Sequence, residues 1–418
     1  MQRILSTELP AHVGTTVTVA GWVHRRRLLK SVAFLIVRDA TGLSQVVVTD
    51  PATRARLEQL PEETVVEVTA QVTANAAAPA GVELTTPSVR AISSAPPVPL
   101  PFELHRPALG AGLATQLDHA ALALRHPTRT AALRVAAAAS AGFRATLEAQ
   151  RFVEIHTPKI VGTATESGAT VFTLDYFGRP AYLAQSPQFY KQLMVGVFER
   201  VYEVGPVFRA EPHDTARHLA QYTSLDAELG FVTDHRDVMA VLTTVVAGMT
   251  ATVAERTGIA VPAVPSEIPA LHFSEALRIA GAPEDEPDLA PAHERALGEW
   301  ARREHGSDFV FVTGYPMAKR PFYTHPQPSD PRWSNSFDLL FRGLELVTGG
   351  QRLHRYEDYL AVAPAPEQIA GYLDGFKYGM PPHGGFAIGL ERFVARLLGA
   401  ANVREVTAFP RDLHRVTP

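Results

Sequence analysis

Charged residues that could hold a nucleotide polyphosphate follow one another along one stretch of this 418-residue chain. Val207-Phe208-Arg209-Ala210-Glu211 ends a predicted strand, Arg217-His218-Leu219 lies on the next loop, and Asp226-Ala227-Glu228 lies on the following strand. A guanidinium at a strand end can hold an α-phosphate through two parallel donors. A looser Arg-His pair can reach the rest of a triphosphate. The spacing favours a nucleotide site over the alternative, a plain surface hairpin.

A glycine-rich segment near the C-terminus could complete such a site. It reads Gly384-Gly385-Phe386-Ala387-Ile388-Gly389-Leu390-Glu391-Arg392, and its glycines lead into a helix whose first turn carries Arg392. Backbone at glycine can approach an adenine closely, and the guanidinium can hold a γ-phosphate. The segment is not a Walker loop, because no Gly-Lys-Ser/Thr follows. Tight-turn structure alone is the alternative explanation of the paired glycines.

Two carboxylates between these segments indicate a metal site. Asp338 and Glu345 lie on neighbouring predicted strands, with the hydroxyl of Thr348 close by in sequence. Neighbouring carboxylates repel one another unless a cation compensates, and the Mg²⁺ that accompanies ATP prefers oxygen ligands. We therefore predict a magnesium site at these three residues, with an acidic surface pair as the alternative.

Residues 1–100 are predicted to form a five-stranded barrel of the OB-fold type. Alternating polarity predicts strands over residues 16–24, 33–38, 43–49, 64–73 and 82–91, with a helix over 51–60 between the third and fourth. Such barrels often bind single-stranded nucleic acid, and a barrel without a ligand is the alternative. The proline-rich residues 93–101 predict a linker, followed by a hinge over residues 101–128.

Residues 129–418 are predicted to form an α+β domain, an antiparallel sheet flanked by helices. A helix is predicted over residues 130–150 and another over 366–378. Predicted strands cover residues 152–156, 181–185, 201–208, 224–231, 309–313, 336–341 and 344–348. We assign no chemistry to residues 255–305.

The bulk composition excludes several kinds of protein. Apolar residues make up 46% of the chain, so a sizeable core is expected. Disulfides and thiolate sites are excluded because the chain has no cysteine. No signal peptide and no spanning apolar run are recognised, so a soluble cytoplasmic protein is expected. The net charge of −4 argues weakly against nucleic-acid binding, and the basic cluster from Arg25 to Lys30 could be an ordinary solvated loop.

The motifs resemble those of class II aminoacyl-tRNA synthetases, with motif 1 over residues 130–158, motif 2 over 201–231 and motif 3 over 384–398. Nearly the whole chain is similar to the archaeal-type branch of the aspartyl-tRNA synthetases. The stretches that carry this resemblance are Glu154 to Ile160, Leu183 to Gln192, Val201 to Glu203, Gly349 to Arg352, Lys377 to Phe386 and Phe409 to Asp412.

The resemblance implies two sets of site residues around ATP with Mg²⁺ and L-aspartate. ATP would be bound by Arg209, Ala210, Glu211, Arg217, His218, Leu219, Glu345, Gly389, Leu390, Glu391 and Arg392, of which Arg209 and Arg392 would be catalytic. Aspartate would be bound by Glu166, Ser186, Gln188, Phe189, Tyr190, Lys191, Arg209, Asp226, Thr348 and Arg352. Lys191 and Arg352 would grip the side-chain carboxylate. Because asparagine is nearly the same shape, these charges would select aspartate.

The resemblance also implies a homodimer and an anticodon-binding barrel, in which Arg25, Phe34 and Gln45 would contact the RNA. Without the resemblance, Phe34 could equally be a core residue. His24 and Pro79 look like those of relatives that charge both tRNA(Asp) and tRNA(Asn), so we expect a non-discriminating enzyme. Gln221 departs from the glutamate that many relatives carry.

Four alternatives remain at this point. They are an aspartyl-tRNA synthetase that charges tRNA(Asp) alone, an asparaginyl-tRNA synthetase, a synthetase-derived asparagine synthetase, and a non-catalytic RNA-binding paralogue. The Gln-Ser-Pro-Gln context of Lys191 argues against the second. The predicted barrel argues against the third, and the intact Arg209, Glu345 and Arg392 argue against the fourth.

Overall fold

The structure is a computed structural model that describes residues 2–95, 99–163, 170–212 and 214–417. The chain divides into two compact units, Met1–His126 and Pro127–Pro418. Each unit is described by itself below.

In the first unit, five strands among the described residues close into a barrel in the order β1-β2-β3-β5-β4. Its elements are β1 (Thr16–Leu28), β2 (Ala33–Arg38), β3 (Leu43–Val48), α1 (Pro51–Glu58), β4 (Val65–Ala74) and β5 (Val82–Ser93). Alternate apolar side chains such as Val19, Leu35 and Val68 fill the interior, as the period of two in the sequence requires. The predicted OB-fold barrel is confirmed. The segment predicted as a hinge contains α2 (Leu113–Asp118) and α3 (Ala120–Ala123) within this same unit.

The second unit contains a large sheet, a small sheet and flanking helices. In chain order its elements are α4 (Pro127–Ala149), β6 (Val153–Glu154), β7 (Ile160–Val161), β8 (Thr173–Tyr176), β9 (Arg179–Leu183), α5 (Gln188–Phe198), β10 (Arg200–Phe208), β11 (Gln221–Gly230), α6 (His235–Thr257), β12 (Ala270–His272), α7 (Phe273–Ala280), α8 (Pro291–His305), β13 (Phe309–Thr313), β14 (Ser336–Phe341), β15 (Glu345–Gln351), α9 (Tyr356–Val362), α10 (Ala370–Phe376), β16 (His383–Gly389) and α11 (Leu390–Leu398).

The large sheet has the order β12-β13-β14-β15-β16-β11-β10-β6 across the described residues, and the small sheet has the order β7-β9-β8. The predicted sheet flanked by helices is confirmed and is antiparallel except at two pairs, because β6 pairs parallel with β10 and β12 pairs parallel with β13. Both parallel pairs lie at the edges, where a short strand can join after a long crossover. The central strands, from β13 to β10, are antiparallel.

Helices α4 and α6 pack against each other and cover one side of the sheet. Helix α6 is long and apolar enough to cross a membrane by length and composition, which corrects the expectation that the chain contains no such segment. Its apolar residues are packed in the core of this unit, among them Val238, Leu242, Val245, Val246, Met249 and Val253. Burial in the core explains this composition.

Candidate active site

A cavity of about 490 Å³ lies over the central strands of the large sheet and collects most of the predicted site residues. The predicted residues that line it are Ser186, Gln188, Lys191, Arg209, Glu211, Arg217, His218, Leu219, Asp226, Glu345, Thr348, Arg352, Gly389, Glu391 and Arg392. Five other predicted residues, Ala210, Phe189, Tyr190, Asp338 and Leu390, are not among the lining residues of this cavity. Glu166 lies outside the described residues.

At one end of the cavity, two cations and two carboxylates are buried together. Lys191 Nζ lies 3.0 Å from Asp226 Oδ1 and 3.4 Å from Glu228 Oε2. Arg352 Nε donates to Glu228 Oε1 over 3.0 Å. Glu228 therefore contacts both cations, although they are 161 positions apart in sequence. Lys191 Nζ also donates to the Phe386 carbonyl over 3.4 Å, and Arg352 Nη2 donates to the Gly385 carbonyl over 3.1 Å. A lysine ammonium has three donors and a guanidinium five. The ammonium therefore keeps one N–H, beside Glu228, and the guanidinium keeps three that a further anion could meet.

The opposite charges around Glu228 and Arg352 favour the ionised forms of these two groups. Burial would raise the pKa of Glu228, but Arg352 and Lys191 lower it below its ordinary value. Burial would lower the pKa of Arg352, but Glu228 raises it. A buried cation without such compensation would be strongly destabilising. The four charges thus form a mutually dependent cluster, which we call the buried charge cluster.

A polar and aromatic network supports the buried charge cluster from behind. Gln192 Nε2 lies 2.9 Å from His383 Nε2 and donates to the Tyr359 hydroxyl over 3.1 Å. The Tyr372 hydroxyl donates to Gln192 Oε1 over 3.0 Å. Phe189 stacks on Tyr372 with ring centroids 4.2 Å apart. Phe189, predicted to touch aspartate, instead packs in this aromatic layer behind the cavity.

At the other end of the cavity lie the cations predicted to hold ATP. The Arg209 guanidinium lies over the Tyr222 ring, 5.7 Å from its centroid. His218 Nδ1 lies 2.6 Å from Thr215 Oγ1. In α11, Arg392 Nη1 donates to the Glu345 carbonyl over 2.9 Å. This end is therefore rich in donors that could meet phosphate oxygens.

Glu345 and Thr348 form a small oxygen cluster on the cavity wall. The Thr348 hydroxyl donates to Glu345 Oε1 over 3.4 Å, and Arg392 Nη1 lies 3.6 Å from the same oxygen. A carboxylate and a hydroxyl fit a Mg²⁺ ion whose remaining ligands are phosphates and waters. No group of three or more acidic or histidine ligands occurs in the described part of the chain, so the protein alone does not form a full coordination shell there.

Asp338 is placed differently from its prediction as a metal ligand. It is buried, and both of its carboxylate oxygens accept hydrogen bonds from Arg320 Nη2 at 3.2 Å. Burial raises the pKa of Asp338 despite the opposing charge of Arg320. Asp338 thus holds Arg320 at the cavity wall, and its role as a metal ligand stays a prediction.

Three further lining or supporting residues are not among the predicted site residues. Glu228 was noted only as part of a motif, yet it joins the two cations of the buried charge cluster. Arg320 lines the cavity, with its guanidinium 3.8 Å from the Tyr315 ring centroid. Glu294, from a segment to which we assigned no chemistry, accepts from the Glu345 amide over 3.0 Å. Burial raises the pKa of Glu294.

In the first unit, the outer face of β1, β2 and β3 carries the residues predicted to meet RNA. The register pairs Arg27 with Phe34, and Arg25 and Gln45 with the same residue of β2, Ile36. Residues directly opposite each other share one face of a sheet, so these side chains form two adjacent rows. Gln45 Nε2 donates to Glu83 Oε2 over 3.3 Å, and Asn75 donates to the same oxygen over 2.7 Å. Glu83 thus joins Gln45 to the loop that carries the exposed Pro79.

His24 does not belong to that outer face. It is 9% exposed, and its Nδ1 lies 3.1 Å from Arg38 Nη1. Arg38 in turn makes two 2.8 Å hydrogen bonds to Glu63, which also pairs with Arg125 at 2.7 Å. Burial, followed by the charge of Arg38, lowers the pKa of His24 to about 4. A neutral imidazole inside the barrel is what these surroundings favour.

Comparison with known proteins adds to this geometry. The family described as tRNA synthetases class II (D, K and N) matches residues 112–413, and the family described as OB-fold nucleic acid binding domain matches residues 17–92. The chain belongs to the class II tRNA synthetase family. Because the first match covers well over half of the chain, the synthetase fold predicted from the motifs is confirmed.

Among curated relatives, this synthetase is 46% identical to the aspartate–tRNA(Asp/Asn) ligases of Deinococcus radiodurans and Thermus thermophilus. These alignments cover 100% of this chain and 99% and 100% of the respective relatives. It is 37% identical to the aspartate–tRNA(Asp) ligase of Thermoplasma acidophilum over 97% of both chains.

Among solved structures, this synthetase resembles the asparaginyl-tRNA synthetase of Pyrococcus horikoshii complexed with asparaginyl-adenylate. The TM-score is 0.92 at 30% identity, and the alignment covers 100% of both chains. A putative aspartyl-tRNA synthetase from Leishmania major gives a TM-score of 0.89 at 29% identity, over 100% of this chain and 95% of that one. The fold is therefore shared by enzymes named for either amino acid, and the residues of the cavity must supply the distinction.

The buried His383 of this synthetase predicts a pH-dependent stability. Burial lowers its pKa from 6.5 to about 4, so the folded state resists protonation while the unfolded state accepts it. The stability from this neutral histidine is present above pH 6.5 and is lost as the pH falls toward 4, by roughly 3 kcal/mol. Urea unfolding at several pH values should show a steeper loss for the wild type than for His383→Gln. If the free energy of unfolding fell equally with pH in the wild type and in His383→Gln, the assignment of this pH dependence to His383 would be contradicted.

Proposed function

We propose that this synthetase activates L-aspartate with ATP and transfers the aspartyl group to the 3′ end of tRNA. The observation that carries the proposal is the convergence of Lys191 and Arg352 on one end of the cavity that also contains the predicted phosphate-binding arginines. The names of the most similar curated relatives support the same reaction.

Selection of aspartate over asparagine would follow from charge. The carboxylate of aspartate can accept the remaining donors of Lys191 and Arg352, whereas the amide nitrogen of asparagine would face those cations with donors of its own. Leaving buried donors unpaired costs several kcal/mol, which corresponds to on the order of a thousandfold in selection. Asp226 and Glu228 would orient the two cations through the 3.0 Å contacts described above.

In the first step, an oxygen of the substrate α-carboxylate forms a bond to the α-phosphorus of ATP while the bond to the departing pyrophosphate breaks. Arg209 would hold the α-phosphate, and His218, Arg217 and Arg392 the phosphates that leave. Glu345 and Thr348 would hold Mg²⁺, which when bound supplies positive charge against the phosphate oxygens. The protein acts by positioning and charge stabilisation, without a protein nucleophile.

In the second step, a hydroxyl of the terminal ribose of tRNA attacks the carbonyl carbon of the aspartyl-adenylate, and AMP leaves. The outer face of β1, β2 and β3 would contact the anticodon, because aromatic and basic side chains there suit unpaired bases and phosphate. Arg25, Phe34 and Gln45 would make these contacts, with the loop of Pro79 beside Gln45. We propose that both tRNA(Asp) and tRNA(Asn) are accepted.

Because His24 is buried, we propose that it affects tRNA choice indirectly, through Arg38 and Glu63. A larger aromatic side chain at this position could not occupy the same space without moving Arg38. Arg38 also lies near the Trp22 ring, 5.8 Å from its centroid. A change at His24 would therefore alter the barrel wall rather than remove a base contact.

The working form is proposed to be a cytoplasmic homodimer. Apolar side chains around motif 1 and the small sheet remain exposed, namely Val153, Ile160, Phe172, Tyr176 and Phe177. Exposed apolar patches of this kind suit a contact between subunits. A cytoplasmic location fits the proposed use of ATP and tRNA.

Asparaginyl-tRNA synthetase activity is the second candidate, favoured by the fold it shares with the enzyme from Pyrococcus horikoshii. The two buried cations argue against it, because the amide of asparagine would offer them one neutral acceptor oxygen and a donor nitrogen in place of the two anionic oxygens of a carboxylate.

ATP–pyrophosphate exchange tests the choice of amino acid. We expect exchange with aspartate and little with asparagine, and Arg352→Leu should abolish it by removing a carboxylate donor. Equilibrium binding of ATP should be retained in that variant, since Arg352 lies at the other end of the cavity from Arg392. Exchange that depends on asparagine alone would overturn the proposed substrate, and aspartate-dependent exchange by Arg352→Leu would remove this residue from the pocket.

Aminoacylation of purified tRNA(Asp) and tRNA(Asn), side by side, tests the tRNA proposal. The double variant His24→Trp with Pro79→Lys should lose more activity on tRNA(Asn) than on tRNA(Asp), while its aspartate-dependent pyrophosphate exchange stays unchanged. An equal loss on both tRNAs would count against His24 and Pro79 as determinants. A wild type that charges tRNA(Asp) alone would show instead a discriminating enzyme.

A further inference from the structure

The described parts of the motif 2 loop, residues 209–212 and 214–220, are contacted by a stretch of chain far away in sequence. We call residues 402–415 the C-terminal segment. The Val403 amide donates to the Ala216 carbonyl over 2.8 Å, and the Ala220 amide donates to the Arg411 carbonyl over 2.7 Å. Val403 and Leu413 of this segment also line the cavity. The loop that carries two of the predicted phosphate ligands, Arg217 and His218, is therefore hydrogen-bonded to the C-terminal segment.

One buried side chain, Arg404, makes two further polar contacts between the C-terminal segment and the loop. It is 6% exposed. Its Nη2 lies 3.0 Å from Asp214 Oδ1, and its Nη1 donates to the Thr215 carbonyl over 3.0 Å. Its Nε donates to Asp412 Oδ2 over 2.5 Å. A planar guanidinium fixed by acceptors on three sides has little freedom to turn.

The contact at Thr215 leads directly to a predicted phosphate ligand. Thr215 Oγ1 lies 2.6 Å from His218 Nδ1, and the Arg217 amide donates to the same hydroxyl over 3.4 Å. Arg404 thus fixes the backbone of the residue whose side chain orients His218.

Arg404 itself is anchored to the long helix of the second unit. Arg129 in α4 is 6% exposed. Its Nη1 donates to the Glu405 carbonyl over 2.6 Å, and its Nη2 to the Arg404 carbonyl over 3.3 Å. The chain of contacts therefore runs from α4 through Arg404 to the loop.

From these contacts we infer that Arg404 is a positioning residue for ATP, holding the motif 2 loop in the conformation in which Arg217 and His218 face the triphosphate. This inference rests on the proposed use of ATP. A loop that is ordered before the nucleotide arrives loses less conformational entropy on binding. If the loop occupied its binding conformation only part of the time, the apparent affinity for ATP would fall by that fraction.

The test uses the full-length protein in pyrophosphate exchange, with KM measured separately for ATP and aspartate. Asp214→Asn removes the charge of an exposed acceptor and leaves Arg404 buried, so it should raise KM for ATP by about fivefold. Arg404→Lys keeps the positive charge but cannot form all the hydrogen bonds that the planar guanidinium makes. This variant should raise KM for ATP by about tenfold or more. KM for aspartate should stay within about twofold, because the buried charge cluster is untouched.

Arg236→Gln is the matched control, since Arg236 also pairs with a nearby aspartate, Asp234, but at the exposed start of α6. It should change neither KM. Thermal unfolding of each variant separates positioning from loss of fold, and Asp214→Asn should melt as the wild type does.

An unchanged KM for ATP in both variants would overturn the inference. So would an equal rise in both KM values together with a lower melting temperature, which is the pattern of general destabilisation. If the wild type shows no exchange with aspartate, the proposed function fails by itself. Equilibrium binding of ATP to the same variants then decides whether Arg404 positions the loop.

Discussion

The buried charges of Lys191, Arg352, Asp226 and Glu228 compensate one another electrostatically. The rest of the catalytic unit places these four side chains close enough together for this compensation. Each ion alone would cost several kcal/mol to bury, and removing one partner of such a cluster leaves the other uncompensated. Glu228 is central because it lies within 3.4 Å of both cations. The cluster is therefore formed by the protein's own side chains, and in our proposal it receives one further carboxylate.

The sheet supplies the geometry that this balance requires. Asp226 and Glu228 are two positions apart on β11, so their side chains point to the same face. Lys191 comes from α5 and Arg352 follows β15, and the pairing of β11 with β16 and of β16 with β15 brings them together. Glycine is required at position 385 of β16, because a Cβ there would lie 2.0 Å from Glu228 Oε2. Gly385 thus makes room for the cluster, a reason that the sequence alone did not provide, whereas a Cβ at Gly384 would meet the Gly350 carbonyl at 2.6 Å.

Much of this architecture could be predicted from regular sequence patterns. Contacts between residues far apart in the sequence could not be predicted in this way. The barrel strands follow from alternation and β-branched content, and the strands over residues 309–313 and 336–341 follow from short runs rich in aromatic and other apolar residues. Strand β16 was not predicted because its glycines and short side chains carry little strand preference. The pairing of Asp338 with Arg320 was not predicted, because nothing in the sequence marks Arg320, in a loop 18 positions earlier, as its partner. The burial of His24 likewise depends on Arg38 and Glu63, which no local pattern connects to it.

A crystal structure with a non-hydrolysable analogue of aspartyl-adenylate would test the central claim most directly. The account predicts that Lys191 Nζ and the Arg352 guanidinium both lie within about 3.2 Å of the side-chain carboxylate of the bound aspartyl group. Asp226 and Glu228 should stay in their present positions. A carboxylate bound elsewhere in the cavity, with Lys191 and Arg352 still paired only to Asp226 and Glu228, would contradict the account.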